Sequence, residues 1–147
     1  MRAGALALLG RREYARAELS TALQRKGYAA GIVAEALSEL AGEGLLNDVR
    51  YAESLVRQLA GRGQGPVRIR QALHEAGISP DLMAAALDAG GDWHALATET
   101  RRRRFGAEAP SEWPEKARQM RFLQYRGFSK DHIASALGSS GAPDDDP

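Results

Sequence analysis

The side chains of this chain best suited to chemistry are arginines. Arg101, Arg102, Arg103 and Arg104 are consecutive, and Arg118, Arg121 and Arg126 follow shortly after them. A guanidinium stays charged at any pH a protein meets and presents a planar fork of N–H donors that matches carboxylates and phosphates. Such a set binds anions; it does not shuttle protons. Residues 100 to 130 hold nine Arg or Lys against three Asp or Glu, whereas residues 41 to 90 hold five against six. The excess is therefore regional, although the formal net charge is only +1. Arg118 and Arg121 are three apart and share one helix face, and Arg68 stands 50 residues before Arg118. A basic position repeated in this way suits a track for a phosphate backbone or an acidic protein groove. Four arginines at a helix end also stabilise its terminal carbonyls, so the run has a purely local reading as well.

Other chemistry finds little support. His74, His94 and His132 are the only histidines, and none stands in a metal-ligand spacing. Residues Gly61 to Pro66 resemble a phosphate loop superficially, but no strand precedes them and no Gly-Lys-Ser/Thr follows. A turn whose Pro66 opens a helix accounts for them better. Ser20, Ser38, Ser54, Ser111 and Ser135 lack a His and Asp constellation, which argues against nucleophilic catalysis. No enzyme activity and no cofactor are expected. The chain has no cysteine, no signal-peptide pattern and no apolar run of the ~20 residues a membrane span needs. A soluble cytoplasmic protein is the simplest expectation.

The elements that must position the arginines come from a repeat. Gly27, Gly77 and Gly127 are 50 residues apart, and the flanking segments 18–37, 68–87 and 118–137 align without a gap. The matches fall on apolar positions: Leu23, Leu73 and Leu123; Tyr28, Ile78 and Phe128; Leu37, Leu87 and Leu137. Apolar residues at helical spacing before and after each glycine give a helix, a turn and a helix. A glycine just past a helix end takes the left-handed conformation and lets the next residue pack back onto the helix, here onto Leu23, Leu73 or Leu123. Ser79 and Ser129 supply caps for the following helices, while the first repeat has Ala29 and a weaker start. A further helix precedes each pair, near 3–10, 48–60 and 93–104, opened in the last two cases by Asn47 and Asp92.

The expected fold is all-α: three tandem three-helix repeats forming an elongated, curved molecule. Boundaries are expected at 1–41, 42–89 and 90–138, with an insertion at about 105–114 that should be mobile and a disordered acidic tail at 139–147. Trp113 either packs against the insertion or meets a partner, packing being the better reading.

Three runs give a resemblance to a known family. They are Arg11 to Leu19 (RREYARAEL), Gly44 to Glu53 (GLLNDVRYAE) and Gly65 to Leu73 (GPVRIRQAL) with Gly77-Ile78. Together with Lys116-Ala117-Arg118, Phe122-Leu123 and Arg126 to Ser129, they resemble the RecX family of bacterial regulators of the RecA recombinase, over about residues 5–138. Asn47 stands where an acid is common in that family, and Ala15 where a serine is common. The resemblance implies a non-enzymatic protein that binds the RecA filament on single-stranded DNA, lies in the filament groove, and lowers ATP hydrolysis, strand exchange and coprotease activity. Leu45, Leu46 and Tyr51 are expected to pack. The contact set is expected to be Arg16, Arg25 and Lys26 in the first repeat and Arg57, Arg68 and Arg70 in the second. In the third it is Arg101, Arg102, Arg103, Arg104, Arg118, Arg121, Arg126 and Lys130. A monomer is the default.

The rival reading is a helical-repeat module acting directly on DNA, single- or double-stranded. Near-neutral charge and the scarcity of Arg, Asn and Gln on the helices after each glycine favour at most weak, salt-sensitive DNA contact. A tetratricopeptide-like scaffold is excluded by its 34-residue period.

Overall fold

The computed structural model describes residues 1–138. The expectation for 139–147 lies outside the described residues. Those described form nine α-helices and no strand: α1 Arg2–Leu9, α2 Arg16–Arg25, α3 Ala30–Gly42, α4 Asp48–Gly61, α5 Pro66–Glu75, α6 Pro80–Asp88, α7 Trp93–Phe105, α8 Glu115–Tyr125 and α9 Lys130–Ala136. None is long and apolar enough to cross a membrane.

The three repeat glycines end α2, α5 and α8 in the left-handed region, at φ +102, +82 and +98. Behind them, the N–H groups of Tyr28, Ile78 and Phe128 donate to the carbonyls of Leu23, Leu73 and Leu123 at 3.4, 3.1 and 3.1 Å. The glycine N–H groups donate to the carbonyls of Gln24, His74 and Gln124. Two otherwise orphaned carbonyls per helix are thus satisfied, and only glycine adopts this backbone without strain. Helix starts follow the sequence signals. Asn47 Oδ1 accepts from the Arg50 N–H, Ser79 Oγ from the Leu82 N–H and Asp92 Oδ1 from the Ala95 N–H. Ala29 supplies no cap to α3. Ala15 has none to give either, but Glu18 reaches back to its N–H at 3.1 Å.

The chain divides into two compact units, Met1–Leu55 with Ala72–Ala86, and Val56–Gln71 with Leu87 onward. In the first, Ala5, Leu19, Leu23, Val33, Leu37, Leu40 and Leu46 form the core, with Tyr14 against its edge. Each fully buried leucine is worth roughly 1.5–3 kcal/mol over leaving it in water. Tyr51 is buried too, and burial raises its hydroxyl pKa. Leu45 departs from expectation: it stays exposed, because the turn that sends Leu46 inward sends its neighbour outward. Gly77 abuts α2 in this unit. A Cβ there would stand 2.5 Å from that of Ala17, so nothing larger than glycine fits.

In the second unit α7 lies against α9 and α8, around Ala97, Leu123, Phe128, Ile133, Ala136 and Leu137. The start of α5 seats on the turn between α8 and α9. The Gly65 N–H donates to the Arg126 carbonyl at 2.8 Å and the Val67 N–H to the Gly127 carbonyl at 2.9 Å. These helix-start donors have no partner within their own helix, so the turn's carbonyls satisfy them. The approach excludes side chains: a Cβ on Gly65 would meet the Gly127 carbonyl oxygen at 2.5 Å, and one on Gly127 would meet Arg68 at 2.6 Å.

Candidate basic cleft

The second unit carries a cleft of about 400 Å³ lined by Arg62, Arg103, Arg104 and Arg126, with Glu99 as its one acid. Thr100, Leu96, Phe122 and the backbone of Gly61 and Gly63 complete the wall. Two of these cations, Arg104 and Arg126, lie over an aromatic face. Phe105 and Phe122 meet edge to face at 5.2 Å. Over Phe122 stand the guanidiniums of Arg126 at 4.8 Å and Arg104 at 5.6 Å, and over Phe105 that of Arg118 at 4.9 Å. Stacking occupies the flat face of a guanidinium and leaves its N–H edge for in-plane acceptors, which is how arginine recognises carboxylate and phosphate.

Glu99 is bonded to Arg103 at 2.9 Å and to Arg102 at 2.8 Å. The hydrogen bond from Arg103 is the main reason its carboxyl titrates below the usual carboxylate range. It therefore stays ionised, and an incoming anion has to compete with it for Arg103. Arg126 is partly committed, since its Nη1 donates to the Arg62 carbonyl at 3.1 Å. Arg104 shares the cleft with Glu99 but forms no ion pair among the described residues, and its guanidinium lies over the Phe105 and Phe122 rings.

The other expected contact residues separate into three kinds. Arg25, Lys26, Arg57, Arg70, Arg121 and Lys130 are exposed. Arg118 pairs with Glu115 at 2.8 Å. Arg68 lies over the Tyr125 ring at 4.8 Å and donates to the Tyr125 carbonyl. One does not fit a contact role. Arg101 is 2% exposed and donates to the carbonyls of Gly106, Ala107 and Glu108 and to Gln119 Oε1. It belongs to the interior because α7 turns it beneath the link that follows. That link is accordingly hydrogen-bonded from below at 106–108, within the insertion expected at about 105–114. Arg16 spends its guanidinium on the Ala34 carbonyl and Ser38 Oγ at 2.8 Å, and its backbone N–H on Asp48.

Trp113 is 66% exposed and does not pack on the insertion. Trp93 does pack, with its Nε1 donating to the Leu87 carbonyl at 3.1 Å. The sequence reading missed Arg62 and Phe122 as parts of the cleft, and Phe105 as the ring that meets Phe122 beside it. Arginines near aromatics were the available signal, but it is not directional. It also missed two Ser–His pairs. His94 Nδ1 stands 2.8 Å from Ser135 Oγ, and His132 Nδ1 stands 2.9 Å from Ser129 Oγ. No carboxylate is hydrogen-bonded behind either ring among the described residues, so the third member of a catalytic triad is missing. The pairs link α7 to α9 and secure the start of α9.

Family models for the first, second and third three-helix domains of RecX match residues 2–40, 47–87 and 92–137. A regulatory protein RecX from Halorhodospira halophila is 46% identical over 99% of this chain and 91% of its own length. Another, from Ectopseudomonas mendocina, is 41% identical over 93% and 92%. The crystal structure of RecX from Lactobacillus salivarius superposes with a TM-score of 0.80 at 24% identity, covering 95% of this chain and 93% of that one. A second RecX crystal structure gives 0.74 at 24% identity, covering 94% and 71%. Both show the shared all-α fold.

Proposed function

This chain belongs to the RecX family of regulatory proteins, and from that premise we propose that it inhibits the RecA recombinase by binding the groove of the RecA filament on single-stranded DNA. Lower ATP hydrolysis, strand exchange and coprotease activity follow, and with them control of DNA repair, recombination and the SOS response. The observation that carries this reading is the basic cleft, in which ring-stacked guanidiniums stand around a volume with a single acid. Pre-positioned arginines lose less side-chain freedom on binding than free ones, so they serve as anchors for an acidic protein surface.

The repeats supply the rest of the mechanism. Contacts made from several three-helix domains to neighbouring filament subunits reinforce one another through effective concentration. A ligand that prefers one filament arrangement shifts the population toward it and away from the state that turns over ATP. The contact surface comprises Arg103 and Arg104 at the cleft and Arg121 on α8, supported by Arg25, Lys26, Arg57, Arg68, Arg70, Arg102, Arg118, Arg126 and Lys130. Arg101 and Arg16 act within the fold.

The test is affinity for RecA filaments assembled on oligo(dT), followed by anisotropy of the labelled protein. Arg104→Glu with Arg121→Glu should weaken binding by about tenfold or more. Its helical circular dichroism should be unchanged. Undiminished affinity in the double variant would remove the cleft from the interface.

A further inference from the structure

Three turns built to one pattern meet different surroundings. Gly77 and Gly127 each press against the first turns of a helix, Gly77 on Ala17 of α2 and Gly127 on Arg68 of α5. The apolar residue after each glycine is covered, Ile78 and Phe128 both at 3% exposure. Gly27 has the same left-handed backbone but no atom within 4 Å of its Cβ position among the described residues. Tyr28 is correspondingly 38% exposed, Ile32 is 60% exposed, and every residue from 24 to 32 faces solvent. A surface that the fold uses twice to seat a helix start is left open once.

We infer that the Gly27 turn is a docking surface for the first turn of a helix on the protein partner. The two covered turns define what fits. The occupant brings its first turn against Gly27, as Ala17 stands at Gly77 and Arg68 at Gly127, and places a small residue against the Gly27 carbonyl, as Gly65 does at the Gly127 carbonyl. It lays an apolar side chain over Tyr28 and Ile32, whose exposed area otherwise stays in water. It brings unpaired helix-start N–H groups to the carbonyls of Lys26 and Gly27. Those carbonyls are the counterparts of the Arg126 and Gly127 acceptors, so this part follows the Gly127 turn alone, since the Ala76 and Gly77 carbonyls at the other covered turn receive no such backbone N–H among the described residues. Acids in the occupant's first turn, where helices favour them, would face Arg25 and Lys26.

A second copy of this chain is a poor occupant. Its own unused counterpart of the α5 start, on α8, carries Glu115 at the repeat position of Gly65, where the seat leaves 2.5 Å. The inference takes its partner from the RecA reading above and adds the surface and the element that meets it.

The experiment replaces Tyr28 with the photocrosslinker p-benzoylphenylalanine and irradiates the protein on RecA filaments formed on oligo(dT) with a slowly hydrolysed ATP analogue. The crosslinked RecA residue should lie in the first turn of a helix. A crosslink to a strand or to a helix interior, to another copy of this chain, or to nothing at all would overturn the inference. In parallel, Ile32→Glu should raise the half-inhibitory concentration for filament ATP hydrolysis by about tenfold. Val49→Glu, at a similarly exposed apolar position, should leave it unchanged. If the wild type inhibits and Ile32→Glu inhibits equally, the surface is wrong and the RecA reading stands. If the wild type itself fails to inhibit, the RecA reading falls and this inference with it.

Discussion

Arg101 Nη1 donates to Gln119 Oε1 at 3.2 Å, joining α7 to α8 beneath the link at 106–108 with both side chains buried, at 2% and 4% exposure. The same guanidinium holds three consecutive link carbonyls, and its Nε lacks an acceptor. A buried cation of this kind is costly to place and costlier to remove, because its acceptors would be left unpaired. Arg101→Met should lower the unfolding free energy by about 2–4 kcal/mol in urea titration. Arg103→Ala, two residues on and solvated, should leave the midpoint where it is.

The glycines make a graded series. At Gly27 a side chain meets only backbone strain, since the space is open. Gly27→Ala should cost about 1–2 kcal/mol. At Gly127 the same strain is joined by a 2.6 Å approach to Arg68, so Gly127→Ala should be more destabilising than Gly27→Ala. Thermal unfolding of the two variants checks the order.

Arg16→Ala should behave as a stability variant. It removes the bond to Ser38 Oγ and that to the Ala34 carbonyl, without touching the cleft. Filament affinity should match wild type once corrected for the folded fraction, with a lower unfolding midpoint. A loss of affinity at full folding would return Arg16 to the contact surface.

His132 gives a pH dependence. Its Nδ1 lies 3.4 Å from the Ser129 N–H and accepts from it only when unprotonated. Burial first, then the neighbouring His94, holds its pKa below the ordinary 6.5, against the opposing pull of Asp131 and Asp92. The unfolded chain takes up the proton more readily than the folded one. This contribution to stability is therefore complete above about pH 6.5 and is lost as the pH falls through that value toward the lower folded pKa. His132→Gln keeps an acceptor without the titration and should flatten the stability profile between about pH 7 and 5.

The helices and turns were legible because their signals are local. A glycine 50 residues from its twin, with an apolar residue after it and a leucine four before it, specifies a left-handed cap wherever it occurs. The division of labour among arginines was not legible. Whether Arg101 or Arg104 points inward depends on how α7 is rotated and on where residues 106–108 return, and four consecutive identical residues carry no marker for either. Tyr28 shows the same limit. Its sequence context matches that of Ile78 and Phe128, and only the presence of a neighbouring helix start decides which of the three is covered. Trp113 and Leu45 are expected to pack, yet both are exposed, and surface exposure of single apolar residues is ordinary.

The most direct measurement is ATP hydrolysis by RecA on single-stranded DNA while this protein is titrated in. Hydrolysis should fall steadily and reach its floor at less than one molecule per filament subunit, since one molecule that spans neighbouring subunits acts on more than one. Hydrolysis that stays at its starting rate with several-fold excess over filament subunits would contradict the account.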